Sequence, residues 1–466
     1  MRNNRLVINS IYYTIGEILP RIIGFILLPL LTRCLSPTEY GMNSYTNTVM
    51  LFSFAFSALS LNTFLLRNYY KEPLEGRRRL IGSVFCATLG VNAVVSGIEL
   101  LIFPWLIVRM KIGVPFHPIF LLAILNNFLE GFALIPLVIY RIKQNARLFV
   151  VVNASKTILQ FVATFLLLTV GHYGLTGVYV ARLIVNIPYA ILFVIIIRRN
   201  AVFSLDKTLI RQGLAFSLPL LPGALSYLFI STFDRIVLEK NIGLAALGLY
   251  AVASTLALTL NIIVQGLYRT FEQKIFEKHG TDEYPEVADT LYKYFIICLT
   301  TGGFLLSIFS KEVFIILTSA KYQQAYELVP SLTISVIIAG LGTFLGTFLI
   351  ASQKQRTITK GTTLSVVVTL GGTLILIRLI GVYGAIVTSI VSFLVVYFIY
   401  LADLRLRNSY IPQTLLLLAI LLATCLGFQQ LDIPFWSALG IKTCLSAAYF
   451  WLCIRLLKVN LSRIEI

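Results

Sequence analysis

The chain has 466 residues, of which 58% are hydrophobic and only 12% are charged. This composition excludes an ordinary soluble protein and is typical of a protein that crosses a membrane many times. The formal net charge of +18 does not predict nucleic-acid binding, because Lys and Arg concentrate in the short segments between hydrophobic runs, where they set membrane orientation.

Neither the cysteines nor the histidines predict a metal centre. The six cysteines include no Cys-x-x-Cys pair and lie mostly in apolar runs, and the three histidines are far apart in the chain. Such cysteines are typical of small buried apolar side chains. We therefore expect no resident cofactor and no disulfide framework.

The hydrophobic runs predict an all-α integral membrane protein of about 14 transmembrane helices, each long enough for the hydrocarbon core. An even number of spans places both termini on one side, and the basic residues of the inner segments make that side the cytoplasm. The spans are predicted, in chain order, at residues 8–31, 42–66, 80–104, 118–140, 148–170, 174–197, 213–234, 243–268, 291–317, 325–351, 358–379, 382–401, 411–430 and 434–457.

The first predicted span carries two opposite charges, Glu17 and Arg21. A spacing of four places both on one face of a helix, with the acid on the N-terminal side. Since a charge near the centre of a span costs about 2.5–3.5 kcal/mol, the pair needs a protein or water surface. It is either a structural ion pair between packed helices or part of a polar wall for a substrate, and we favour the wall because other helices repeat the pattern.

The chain repeats itself in two halves. A Gly-x-Tyr-Gly turn at Gly171 recurs at Gly381, and the segment around Gly41 resembles the one around Gly248. The shifts are nearly constant, and the spans predict two pseudo-symmetric lobes of six helices each, about an axis along the membrane normal. The predicted divisions are an N-lobe at 1–204, a C-lobe at 205–408, and two additional helices with a short cytoplasmic tail at 409–466.

Polar side chains recur on the first two helices of each predicted lobe, often at a spacing of four residues. Duplicated lobes commonly hold their substrate near the membrane midplane, where the repeats meet. The predicted substrate-binding residues are therefore Arg21, Glu17, Asn43, Asn47, Asp234, Arg235, Asn261, Gln265 and Arg269.

Some of these charges have simpler interpretations. Asp234 and Arg235 would end the seventh helix at the outer surface, and Arg269 lies near an inner end, where a long side chain reaches water. Other charged residues lie towards the ends of their spans and are interpreted as paired or snorkelling charges, namely Glu99, Glu130, Lys156 and Arg182.

Three ordered segments resemble a known family. They read PLLTRCLSPTEYG from Pro29, LPLLPGALSYLFISTFDRIVL from Leu218 and LGLYAVA from Leu247. Together they resemble the polysaccharide repeat-unit flippases of O-antigen, capsule and exopolysaccharide pathways. Those flippases belong to the multidrug/oligosaccharidyl-lipid/polysaccharide exporter superfamily.

The resemblance implies a two-lobed transporter of the bacterial inner membrane with about 12 or 14 helices. It implies translocation of an undecaprenyl-diphosphate-linked oligosaccharide to the outer leaflet by alternating access, coupled to an H⁺ or Na⁺ gradient. Its partners would be that substrate, membrane lipids and polysaccharide assembly proteins. Arg21 and the Asp234–Arg235 pair match charged positions of the family pattern. The extra helix pair resembles the lipid II flippases, which implies a lipid groove along helices 13 and 14.

Two other functions compete with this interpretation. A drug or cation antiporter of the same superfamily would have a cavity dominated by acidic residues, whereas this chain places Arg21 beside Glu17. A membrane polysaccharide polymerase or ligase would need a large outer loop with catalytic groups, and the predicted outer segments are short. We therefore expect a transporter rather than an enzyme.

Overall fold

The computed structural model describes residues 2–203, 205–404, 410–429, 431 and 435–457, without the side chains of 2–11, 13–15, 17, 269–270 and 435–436. All regular structure in these residues is helical. Thirteen helical segments among the described residues are long and apolar enough to cross a membrane. The predicted all-α membrane fold is confirmed.

The described residues of the N-terminal half form nine helices, with short 3₁₀ turns at Tyr69–Lys71, Gly131–Ala133 and Leu218–Leu220 and a π turn at Phe116–Phe120. The helices are α1 (Arg2–Cys34), α2 (Pro37–Ala58), α3 (Leu61–Asn68), α4 (Leu74–Met110), α5 (Leu121–Glu130), α6 (Leu134–Ile142), α7 (Ala146–Thr169), α8 (Gly174–Asn200) and α9 (Lys207–Ser217).

The C-terminal half forms ten described helices and a 3₁₀ segment at Ala320–Leu328. The helices are α10 (Leu221–Ile242), α11 (Leu244–Leu258), α12 (Leu260–Lys278), α13 (Tyr284–Ile308), α14 (Ser310–Leu317), α15 (Val329–Ala351), α16 (Gln355–Ile380), α17 (Val382–Leu404), α18 (Tyr410–Gln429) and α19 (Phe435–Leu457).

The helices gather into two compact units. Unit 1 comprises Met1–Leu228 with Ile242–Gly248, and unit 2 comprises Phe229–Asn241 with Leu249–Ile466. The domain boundaries predicted from the repeat, at 204 and 408, stay a prediction.

Helix α2 begins at a capping box that the sequence displays as Ser-Pro-Thr-Glu. The backbone N–H of Glu39 donates to Ser36 Oγ at 3.3 Å, and the backbone N–H of Ser36 donates to Glu39 Oε2 at 2.9 Å. Pro37 fits the first turn because a helix leaves that N–H without a partner. The cap fixes where α2 begins, and with it the positions of the polar residues further along the helix.

A reciprocal close contact joins the beginnings of α2 and α11 within unit 1. A Cβ atom on Gly41 would lie 1.9 Å from the carbonyl oxygen of Leu244, and one on Gly248 would lie 1.9 Å from that of Pro37. The pairs Pro37/Leu244 and Gly41/Gly248 are related by the same shift of 207 residues found in the sequence. Such a self-complementary contact is the signature of a local two-fold arrangement, and it requires glycine on both helices.

Unit 1 is held together by α1 on α7, α7 on α8, α5 on α8 and α2 on α4. An apolar cluster fills the end of the unit near α3, where Phe64, Leu65 and Leu80 are buried. The amide of Asn153 on α7 donates to the carbonyl oxygen of Gly16 on α1 at 3.3 Å. The first helix is thereby fixed along α7, the first helix of the repeated hairpin α7–α8.

Unit 2 is organised around α13, which contacts α12, α15, α18 and α19. The rings of Phe295 and Phe344 stack with centroids 4.2 Å apart, and Phe304 stacks on Tyr449 of α19 at the same distance. Helix α19 therefore packs on α13 through an aromatic stack, and the Tyr410 ring of α18 lies edge-on to Tyr292 of α13 with centroids 6.1 Å apart.

Candidate functional site

Two of the predicted substrate-binding residues, Asn43 and Asn47, meet a cation from another helix. Asn47 Nδ2 donates to Asn43 Oδ1 at 3.2 Å, as expected for a spacing of four. From α8, the hydroxyl of Tyr179 donates to Asn43 Oδ1 at 3.2 Å and Arg182 Nη1 donates to Asn47 Oδ1 at 3.1 Å. The guanidinium carbon of Arg182 also lies 5.6 Å from the centroid of the Tyr179 ring. Arg182, which the sequence analysis interpreted as a structural charge, thus contacts predicted site residues.

Further amides extend this arrangement across α5, α7 and α8. Asn126 Nδ2 donates to the carbonyl oxygen of Tyr179 at 3.0 Å, and Asn186 Nδ2 donates to Asn126 Oδ1 at 2.9 Å. Gln160 Nε2 then donates to Asn186 Oδ1 at 3.0 Å. We call this set the amide network; it consists of Asn43, Asn47, Asn126, Gln160, Tyr179, Arg182 and Asn186.

The cation of the amide network is held without a carboxylate. The contacts of Arg182 given by the described side chains are an amide oxygen and an aromatic face. Its side chain is partly exposed, and a guanidinium has five N–H donors. Because Asn47 takes only one of them, the geometry leaves donors for an anionic or hydroxyl-rich ligand.

Arg21 lies on α1 with an exposed side chain. Its helix packs on α7, and the other described side chains leave the guanidinium uncovered. The side chain of Glu17 lies outside the described residues, so the role of the Glu17–Arg21 pair stays a prediction.

The charged pair on α10 lies in unit 2, where Asp234 is buried and Arg235 is partly exposed. Asp234 is 5% exposed; it accepts hydrogen bonds from the Tyr250 hydroxyl and, at 2.8 Å, from the backbone N–H of Arg235. The Nε of Arg235 is buried without a hydrogen-bond partner among the described residues. Since α10 continues to Ile242, the pair lies within the helix and does not end it.

The remaining predicted site residues lie on α12. Asn261 and Gln265 are both partly exposed and four residues apart on the helix. The side chain of Arg269 lies outside the described residues. The role of all three in substrate binding stays a prediction.

Four other membrane charges form two ion pairs. Lys156 Nζ lies 2.6 Å from Glu130 Oε2, and Lys442 Nζ lies 2.6 Å and 2.8 Å from the two carboxylate oxygens of Glu312. Both lysines are buried, so their partners offset the cost of burying a charge. Where the structure describes the chain, it contains no group of three His, Cys, Asp or Glu side chains that would hold a metal ion.

Comparison with known sequences matches the chain to a family and to relatives. The sequence pattern of the family described as polysaccharide biosynthesis protein matches residues 6–269. An uncharacterized membrane protein of Haemophilus influenzae is 26% identical over 279 residues, which cover 59% of this chain and 66% of that protein. The chain thus spans just under two-thirds of this relative's length.

Comparison with solved structures identifies the fold. The lipid II flippase MurJ in an inward closed conformation matches with a TM-score of 0.74 and 14% identity, over 95% of this chain and 98% of that chain. An inward-facing multidrug resistance MATE family transporter of the MOP superfamily matches with a TM-score of 0.63 and 13% identity, over 84% and 98% of the two chains. At such identities the similarity establishes a shared transporter fold.

Proposed function

The chain belongs to the polysaccharide biosynthesis protein family, and from this we propose that it is a lipid-linked oligosaccharide flippase. It would move an undecaprenyl-diphosphate-linked repeat unit from the cytoplasmic to the outer leaflet of the bacterial inner membrane. The cycle would be one of alternating access with both termini in the cytoplasm. The resemblance found in the sequence is confirmed at the level of family and fold; the substrate and the direction of transport are our proposal.

The amide network is the observation that carries this proposal. A lipid diphosphate presents paired anionic oxygens, which a planar guanidinium binds with two parallel hydrogen bonds. Sugar hydroxyls both donate and accept hydrogen bonds, as do the side-chain amides of Asn and Gln. Arg182 with Asn43 and Asn47 therefore supplies the chemistry of a diphosphate joined to a sugar, and the exposed Arg21 would supply a second cation.

The polyprenyl tail of such a substrate needs no polar path, because it remains soluble in the bilayer. Only the charged head must be shielded while it crosses, since an unpaired charge in hydrocarbon is costly. The protein would then need no resident cofactor, and an H⁺ or Na⁺ gradient would drive the cycle. Membrane lipids and polysaccharide assembly proteins would be its other partners.

The test uses cells in which the gene is deleted and the sugar transferases remain active. Lipid-linked repeat units should accumulate on the cytoplasmic leaflet, and the wild-type protein should restore export. Arg182→Ala should lower export about tenfold or more, because a hydrogen bond to a charged group is worth about 1.5–3 kcal/mol. Arg182→Lys should restore part of it, since the charge returns without the planar fork.

The matched control is Arg33→Ala, which removes an exposed arginine at the last turn of α1. It should export normally at equal membrane abundance. Normal export by the Arg21→Ala, Arg182→Ala double variant would contradict the proposed binding site. A lack of accumulated repeat units in the deletion cells would contradict the function itself.

The similarity to a multidrug transporter supports a second candidate, a drug or cation antiporter. Such a protein would lower the accumulation of organic cations in cells or proteoliposomes. The cationic amide network disfavours it, because Arg182 would repel a cation. Uptake of a fluorescent organic cation, compared with and without the protein, separates the two functions.

A further inference from the structure

One face of α4 carries buried polar side chains along the helix. Thr88, Asn92, Ser96 and Glu99 follow one another at intervals of three or four residues and are all buried. The neighbouring residue Leu101 is 81% exposed, as expected for a residue facing lipid. Glu99, with 5% exposure, therefore points into the interior of unit 1.

Among the described side chains, one hydrogen-bond donor reaches Glu99. The Ser53 hydroxyl on α2 forms a hydrogen bond with its carboxyl group. Asn127 Nδ2 on α5 donates to Ser53 Oγ at 2.9 Å, which leaves the Ser53 hydrogen free to donate to Glu99. The other carboxyl oxygen, Oε2, is buried and has no hydrogen-bond partner among the described residues.

The charges on the elements packed against this part of α4 have other partners or are exposed, and Glu39 on α2 accepts from Ser36 in the capping box. Arg182 on α8 contacts Asn47 and Tyr179, Glu130 on α5 is paired with Lys156, and His117 before α5 is exposed. The cations on α3, α6 and α9 belong to the opposite part of α4, where the Ser83 hydroxyl accepts from the backbone of Asp206. The described residues thus give Glu99 no ion pair.

Three other acids in the described membrane helices, Asp234, Glu312 and Glu130, differ from Glu99. Asp234 accepts two hydrogen bonds and has a neighbouring arginine, while Glu312 and Glu130 each face a lysine within hydrogen-bond distance. An ionised carboxylate inside a membrane protein requires such donors or a cation. A buried carboxyl group with one hydroxyl partner and one unpartnered oxygen fits the neutral state.

We propose that Glu99 is a proton-binding site, occupied in this conformation, at which proton binding and release are coupled to the conformational cycle. The proton resides on Oε2, and Ser53 donates to the other oxygen. Release requires water or a cation to reach the cluster of Glu99, Ser53 and Asn127. The link to transport rests on the proposed function, whereas the occupancy of Glu99 does not.

The occupancy is tested on purified protein in lipid nanodiscs by infrared difference spectroscopy between neutral and alkaline pH. The wild-type protein should show the C=O stretch of a neutral carboxylic acid at neutral pH. Glu99→Gln should abolish that band, because the amide mimics a permanently protonated acid. Glu75→Gln, an exposed acid in the first turn of the same helix, should leave it unchanged.

Glu99→Asp is the control for a folding defect in Glu99→Gln. It keeps a carboxyl group, so the C=O band should shift rather than disappear. The proposal is overturned if the wild type has no neutral-acid band, or if the band persists in Glu99→Gln. It is also overturned if Na⁺, rather than pH, removes the band, because the site would then hold a metal cation.

Export in cells tests the coupling separately. Glu99→Gln should lower export about tenfold or more, and Glu75→Gln should leave it normal. A normal infrared titration with undiminished export in Glu99→Gln would overturn the coupling. If the infrared titration of Glu99 is as expected but deletion of the gene leaves export intact, the proposed function is refuted. The proton site at Glu99 then remains.

Discussion

The two copies of the repeated hairpin, α7–α8 and α16–α17, have the same backbone plan and different polar chemistry. In the first copy Gln160 and Asn186 are bonded by their amides, and α8 carries Arg182. In the second copy, hydroxyl groups form the hydrogen bonds between the two helices. Ser365 Oγ donates to the carbonyl oxygen of Ser392 at 2.9 Å, and Thr369 Oγ1 donates to Ser392 Oγ at 2.8 Å.

The shift of 210 residues between the Gly-x-Tyr-Gly turns places Ser392 where the first copy has Arg182, and Val396 where it has Asn186. Small hydroxyl residues let two helices approach closely and can satisfy their own hydrogen bonds on nearby carbonyls. Long amides and a guanidinium keep donors and acceptors for a ligand. The proposed ligand-binding groups therefore lie in the first copy, whereas the hydroxyls of the second copy join α16 to α17.

The largest effect is expected where the two halves remain alike, at Gly41 and Gly248. Changing either to alanine should destabilise the protein by about 3 kcal/mol, the upper end of overpacking costs, because the new methyl group would meet a backbone carbonyl that cannot rotate away. The measurement is the midpoint of unfolding in mixed micelles titrated with sodium dodecyl sulfate.

Because the contact is reciprocal, the two substitutions should lower the free energy of unfolding by similar amounts. Gly24→Ala on α1 is the control, because a Cβ atom there meets nothing within 4 Å, and it should be neutral or slightly stabilising. A large cost at only one of the two glycines would show that the helices do not meet in a two-fold manner.

The next largest effect is expected at Asn186, whose side-chain amide is replaced by Val396 in the second copy. Asn186→Val installs the residue type of Val396 and should cost about 1–3 kcal/mol, because Asn126 Oδ1 and Gln160 Nε2 both lose their partner while remaining inside unit 1. The same unfolding titration measures it. Ile187→Val, at a neighbouring exposed position, is the control and should change little.

A wild-type midpoint for Asn186→Val would mean that the amide network does not hold unit 1 together. Export should fall as well, because Asn126 also bonds the carbonyl oxygen of Tyr179 and so helps to position the α8 turn that carries Arg182. If Asn186→Val lowers stability but leaves export normal, the amide network has a role in packing and none in transport.

The fold could be predicted from the sequence because its determinants are local. Span length and hydropathy are properties of one segment at a time, and the capping box at Ser36 and Glu39 is written in four consecutive residues. The contact between Asn43 and Asn47 follows equally from their spacing on one helix. Each of these features needs no knowledge of which helices are neighbours.

Most of the amide network could not be predicted, because its bonds join residues that are distant in the chain. Asn47 and Arg182 are 135 residues apart, and Asn126 and Asn186 are 60 apart. A helical pattern places a side chain on a face of its own helix but does not say which helix that face meets. Arg182 was therefore interpreted as a charge near the end of a span, whereas its amide partner lies on α2.

The smallest effect tests the hydroxyl pattern of the second copy. Ser392→Ala should cost about 1 kcal/mol, because Thr369 Oγ1 loses one acceptor and keeps its bond to the carbonyl oxygen of Ser365 at 2.8 Å. The carbonyl oxygen of Ser392, which accepts from Ser365, is unaffected by the change. Export should remain normal, whereas Arg182→Ser in the first copy should abolish most of it. If Ser392→Ala impaired export as strongly as Arg182→Ser, both copies would take part in transport and the assignment of ligand chemistry to the first would be wrong.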